Sequence, residues 1–158
     1  MSEQLLYLWC MQKNDPKAMK AYLEEITEDL NANAMIDQME MYRMLTEIGN
    51  AMESIPEESK TDENFVQGCV SNVYVDDRLE DGCIWFRGSS ESHIVRGYLA
   101  ILVRALSGLT PQDLLAESEQ PILKFAERTN IKASLTPNRA NAFGNIYQLM
   151  RKKAEDNL

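Results

Sequence analysis

The chain has 158 residues, of which 44% are hydrophobic and 26% charged, with a formal net charge of −9. That length suits one domain able to bury a core without disulfide or metal staples, and the composition excludes a disordered chain. The acidic balance excludes general binding of nucleic acid or anionic membrane, since phosphate backbones reward clustered Lys and Arg.

No apolar run reaches the length of a membrane span. The first residues, MSEQLLYLWCMQ, carry Glu3 and no basic n-region, which makes a poor secretory signal. A cytoplasmic location is expected. The three cysteines are Cys10, Cys69 and Cys83. An odd count in such a setting argues against a disulfide framework and turns attention to which thiol is reactive.

An apolar patch at Leu5, Leu6, Leu8 and Trp9 predicts a short helix near the N-terminus. Asn14-Asp15-Pro16 predicts the start of the next, with Asp15 as N-cap and Pro16 in the first turn. Met19, Tyr22, Leu23, Ile26 and Leu30 follow at helical spacing. A further helix is expected over about 35–53, striped by Met41, Met44, Leu45, Ile48 and Met52, with these methionines as core packing. Residues 54–64 are polar, acidic and interrupted by Pro56, as a loop is.

The period then changes to two. Val73 and Val75 alternate with Asn72 and Tyr74, and Ile84 and Phe86 with Cys83, Trp85 and Arg87. Asp81-Gly82 between them is a turn signal, so 72–79 and 83–87 are expected to form an antiparallel hairpin. Gly88 to Ser92 breaks the alternation and offers N-caps. Residues 94–106 are apolar nearly all round, the pattern of a central buried helix, and Gly108 ends it. Thr110-Pro111-Gln112-Asp113 matches a capping box. Pro121 is expected to open a short helix through Phe125. Thr136-Pro137 opens the last, striped by Ala140, Phe143, Tyr147 and Met150. Its end carries Arg151, Lys152 and Lys153, where cations suit the helix macrodipole. The expected class is α+β: helices flanking a small antiparallel β-sheet.

Several chemistries find no support. The single histidine, His93, stands beside capping serines without the partners of a hydrolase triad. There is no phosphate-cradling GxxxxGK[ST] and no GxGxxG. Cys69 differs, because it sits where a polar loop meets a strand and follows Gly68, which permits backbone angles closed to other residues. A thiol on such a bend is reachable by another protein. Read from spacing alone, it is more readily a small buried hydrophobe, as free cysteines often are.

V-Q-G-C-V-S-N-V-Y at 66–74 resembles the V-x-G-C-x-S-x-V-W segment of the SufE family of sulfur acceptor proteins. Glu47-Ile48-Gly49 resembles the family's E-L-G, and residues 88–97, ending Ile94-Val95-Arg96-Gly97, its G-D-S-D-x-x-I-V-K/R-G. Leu109-Thr110-Pro111 and Leu135-Thr136-Pro137-Asn138-Arg139 resemble its T-P-x-x-I and L-T/S-P-S/N-R segments. Order and spacing fit from about residue 35 to 153. Tyr74 and Asn72 depart from the usual Trp and Gln. The resemblance implies residues 1–34 as an N-terminal helical extension and 35–158 as a SufE/IscU-like sulfur-acceptor domain.

It also implies a function. Cys69 would accept persulfide sulfur from a pyridoxal-phosphate cysteine desulfurase of the SufS kind, speed that enzyme's turnover, and pass the sulfur to an iron–sulfur scaffold. Gly68, Ser71 and Arg139 would support the thiol. Arg139 would favour thiolate, cap a helix or pair with a partner carboxylate. No lysine stands in a recognisable pyridoxal-phosphate site, so the chain would be an accessory protein with no cofactor or metal of its own. The rival reading is a metal or cluster scaffold using Cys69, Cys83 and His93, against which stand a short ligand count and a spacing foreign to zinc sites.

Overall fold

Each helix starts where a side chain can take up an orphan backbone N–H. In the computed structural model, Asp15 Oδ1 accepts from Ala18 N–H at 2.7 Å and opens α1, Pro16–Ile36, with Pro16 in its first turn. The structure describes residues 13–68, 71–130 and 137–158, of which 137–141 by backbone alone. The expected helix around residues 5–9, and Cys10, lie outside the described residues.

Met19, Leu23, Thr27 and Leu30 form the buried stripe of α1. At Asp37 the backbone turns extended. Its N–H bonds back to Asn33 O at 3.2 Å, and its carboxylate accepts from Met39 N–H at 3.1 Å to start α2, Gln38–Asn50. One aspartate therefore ends one helix and caps the next, so α2 is shorter than the expected 35–53. Met41 and Leu45 are fully buried, while Met44, Ile48 and Met52 pack against the core's edge. The polar stretch that follows contains two short 3₁₀ turns, Glu57–Ser59 and Asp62–Asn64.

The hairpin pairs β1, Val73–Glu80, with β2, Cys83–Ser90, from Val73↔Ser90 to Glu80↔Cys83. Its turn has positive φ at both Asp81 (52°) and Gly82 (77°), as a tight hairpin requires. β2 runs past the expected end at Arg87. Gly88 is no breaker but a contact: a Cβ there would stand 2.6 Å from Leu99 Cδ2. The strand stays paired while the next helix presses on it.

That helix is α3, His93–Leu106, capped by Ser92 Oγ on Val95 N–H at 3.4 Å. It packs on the sheet face formed by Val73, Val75, Ile84 and Phe86, and also touches α1, α2 and the last helix. Gly108, at φ 90°, turns the chain back so that Ile84 bonds Gly108 N–H and Leu109 O, each at 2.8 Å, which covers one edge of β2. Thr110 Oγ1 accepts from Asp113 N–H and opens α4, Pro111–Glu117. Then come α5, Glu119–Arg128, with Pro121 in its first turn, and α6, Pro137–Asp156. The fold is α+β, with six helices around a two-stranded antiparallel sheet among the described residues.

Among these residues no single helix is long and apolar enough to cross a bilayer. The apolar surface of α3 is spent on the core instead.

Candidate functional site

The segment containing Cys69 is tied down at both ends. On one side, Phe65 bridges Tyr74 with ring centroids 5.4 Å apart, and the fully buried Val66 donates its N–H to Val73 O at 2.9 Å. Phe65 and Val66 thus continue the sheet beside the start of β1. Cys69 and Val70 lie outside the described residues, but their neighbours Gly68 and Ser71 do not. Ser71 is half-buried.

Gly68 has φ +83°, the left-handed region the sequence reading expected of it. The amide of Asn145 occupies the side-chain space here: a Cβ would stand 2.7 Å from its Nδ2 and 3.6 Å from its Cγ, atoms that could turn aside. Asn145 is a half-buried residue of α6. That helix therefore lies against the backbone at Gly68.

The same helix holds the chain further upstream. Lys153, near its C-terminus, is 7% exposed. Its Nζ reaches Asn64 Oδ1 at 2.6 Å and Asp77 Oδ1 at 3.0 Å, while Asn157 Nδ2 donates to Asp77 Oδ2 at 3.0 Å. Asn64 in turn donates to Ser59 O at 2.8 Å. Lys153 is a buried clamp between α6, β1 and the turn at Asp62–Asn64, a role beyond the helix-end cation expected from its sequence position. The backbone of Arg139 belongs to the first turn of α6, and its side chain lies outside the described residues.

The face of the hairpin turned from α3 carries a charged pair. Arg87 makes a two-pronged pair with Asp76 across the strands, at 2.5 and 3.2 Å. That hydrogen bond, followed by the nearby carboxylates of Asp76, Glu53 and Glu58, raises the Arg87 pKa. Lys60 is raised in the same way, chiefly by its bond to Glu57.

Cys83 and His93 do not join this region. Cys83 is buried at the hairpin turn, while His93 is an exposed residue of the first turn of α3. The eight residues of β2 put about 23 Å between Cys83 and the strand end near His93, at roughly 3.3 Å per residue. One metal ion cannot take both as ligands, which removes the geometry of the scaffold reading. Among the described residues no three His, Cys, Asp or Glu side chains gather as a metal site.

The profile of the SufE family, described as an Fe-S metabolism associated domain, matches residues 24–154. The chain belongs to the SufE family. An uncharacterized SufE-like protein of Synechocystis is 41% identical over 118 residues, covering 75% of this chain and 72% of its own. An uncharacterized SufE-like protein of Rhizobium meliloti is 31% identical over 141 residues, covering 86% and 96% respectively. The fold is similar to the solution structure of a hypothetical protein from Thermus thermophilus. That match has a TM-score of 0.66 at 16% identity, over 85% of this chain and 94% of that one.

SufE membership ties the chain to iron–sulfur metabolism and gives its motifs physical content. Gly49 of the E-I-G segment and Gly97 of the I-V-R-G segment meet where α2 crosses α3. Thr110 and Pro137 start helices. Two residues near the loop escaped the sequence reading. Asn145 lies on the expected final helix, but off the apolar stripe that predicted it. Lys153 was visible only as one cation of a basic run.

Proposed function

We propose that this SufE protein is a sulfur carrier whose Cys69 accepts a sulfur atom from the persulfide of a pyridoxal-phosphate cysteine desulfurase and passes it to an iron–sulfur scaffold. The supporting observation is what precedes Cys69 in the sequence: Gly68, at φ +83°, lies within the family match at 24–154 and in the V-Q-G-C-V-S-N-V-Y segment that resembles the sulfur-acceptor motif.

In the transfer, the Cys69 thiolate attacks the outer sulfur of the desulfurase persulfide. A sulfur–sulfur bond forms at Cys69, the bond between the outer sulfur and the desulfurase cysteine breaks, and the latter leaves as thiolate. No net oxidation occurs, since the sulfane sulfur only changes carrier. Relieving the desulfurase of its persulfide returns its free thiol, which speeds its next turnover. Gly68 sets the bend, Ser71 stands two residues after the thiol in sequence, and Arg139 belongs to the first turn of α6. A cationic Arg139 close to the sulfur would favour the attacking thiolate.

The test is intact-protein and peptide mass spectrometry after incubation with a cysteine desulfurase and cysteine. The expected result is a gain of one sulfur atom, removed by reductant and mapping to the peptide with Cys69. Sulfur on Cys10 or Cys83, or none beside a turning-over desulfurase, overturns the proposal.

A further inference from the structure

The contact between Asn145 and Gly68 points to a positioning residue outside the segment that carries the thiol. We propose that Asn145 sets the geometry in which Cys69 is presented, by filling the side-chain space at Gly68 and fixing the bend that leads into the thiol. The proposal rests on the reading of Cys69 as the sulfur-accepting thiol.

Three observations carry it. First, the amide stands 2.7 Å from where a Gly68 Cβ would be, so helix and loop touch with no gap between them. Second, Gly68 is at φ +83°, a conformation with a wide range of neighbours for glycine, so the residue does not hold itself in place. A group outside the segment can then select one bend, and among the described residues Asn145 is the side chain within 4 Å of the Cβ position. Third, α6 is a firm base: Ile146 and Met150 are fully buried, and Lys153 is tied to Asn64 and Asp77. A polar amide is also suited to the place. Cys69 is the residue that directly follows Gly68 in the sequence, so a group set beside Gly68 stands next to the thiol-bearing residue along the chain. A charge placed at Asn145 would be felt at the thiol, and a cavity there would let the bend wander.

These two consequences separate positioning from mere packing. Asn145→Ala removes the support, and Asn145→Asp keeps the shape but adds a negative charge. Two readouts serve: sulfur loading of Cys69 by a cysteine desulfurase with cysteine, and the pH profile of Cys69 alkylation by iodoacetamide. Alkylation needs no desulfurase, so it still tests the proposal if Cys69 proves not to be the sulfur acceptor.

Asn145→Ala should slow loading at saturating desulfurase by about tenfold, the scale on which misplaced reacting groups lose rate, with the half-saturating concentration unchanged. It should change the alkylation rate at every pH without moving the profile. Asn145→Asp should load within about threefold of the native rate above the thiol's titration, and shift the alkylation profile to higher pH, because a nearby carboxylate disfavours thiolate. Gly68→Ala should be impaired, and adding Asn145→Ala should recover part of the loss, since the clash is removed while the strain of positive φ stays. Native loading and alkylation in Asn145→Ala, with an Asn145→Asp profile that superimposes on the native one, would overturn the proposal.

Discussion

Gly49 and Gly97 face each other where α2 crosses α3, so closely that a Cβ on Gly49 would stand 2.8 Å from the Gly97 backbone nitrogen. A Cβ on Gly97 would run into the Leu45 carbonyl. These are backbone obstacles, which cannot rotate aside as a side-chain tip can. Gly97→Ala should therefore push α2 from α3 and cost about 2–3 kcal/mol, at the upper end of overpacking losses. Urea unfolding measures it. A loss below about 0.5 kcal/mol would mean that the helices separate freely.

Lys153 joins α6 to Asn64 and Asp77 while 7% exposed. Removing it leaves the half-buried Asp77 carboxylate with Asn157 alone and takes the donor from Asn64 Oδ1. Lys153→Ala should cost about 2–3 kcal/mol, less than a fully buried ion pair because Asp77 keeps 22% of its side chain exposed. Hydrogen exchange should speed up at Phe65 and Val66 beyond what the global loss explains. Unchanged exchange there would separate the clamp from the loop stem.

Two tyrosines make the fold sensitive to alkali. Burial pushes the Tyr22 hydroxyl from 10.0 to about 12, against the Arg104 guanidinium 4.9 Å from its ring centroid, and pushes Tyr98 up as well. Unfolded tyrosines lose their protons near 10.0, while the folded ones keep theirs to higher pH. The unfolded chain then holds fewer protons, so stability that is full below about pH 10 falls as pH rises further. Absorbance of tyrosinate and urea unfolding measured together should show these residues titrating with the unfolding transition. The Tyr98 hydroxyl has no hydrogen-bond partner among the described residues. Tyr98→Phe should accordingly leave stability unchanged or raise it by about 1 kcal/mol, and should flatten the alkaline loss.

Local signals in the sequence located most helix starts, because caps act within three residues. Asp15, Ser92 and Thr110 each bond an N–H of their own first turn. Asp37 was missed because apolar periodicity continues on both sides of it, and one acidic residue among many gives no sign that the backbone turns extended there. Gly88 was misread as a breaker since its role is contact with Leu99, which a strand pattern does not report. At the candidate site, the need for glycine at 68 was legible from the bend. The second reason for it, Asn145, belongs to a helix far along the chain, and no periodicity links the two.

Cys83 should be dispensable for sulfur transfer. It pairs with Glu80 at the turn end of the hairpin, about 23 Å along β1 from Val73 at roughly 3.3 Å per residue. It is also 5% exposed, so a partner thiolate cannot reach it without unfolding. Cys83→Ala should lower stability by about 1 kcal/mol through lost packing and leave sulfur loading intact once folded protein is equalised. Abolished loading in a folded variant would replace the single thiol with a relay.

Cys69→Ser provides the most discriminating outcome, because it separates chemistry from docking. A hydroxyl is close in size to a thiol but is not ionised near neutral pH and cannot carry a persulfide. Sulfur loading should vanish completely, and stimulation of the desulfurase with it, since no acceptor returns the enzyme's thiol. Binding should persist, because the substitution exchanges a single side-chain atom and leaves the hairpin and α6 as they are. The variant should therefore compete with the native chain, lowering its rate of sulfur gain in proportion to the occupied desulfurase. Mass spectrometry of a mixture reads both at once, as a sulfur adduct on the native chain that shrinks with added variant and no adduct on the variant. A variant that still loads would place the acceptor elsewhere, and one that neither loads nor competes would show that the thiol itself is part of the docking surface.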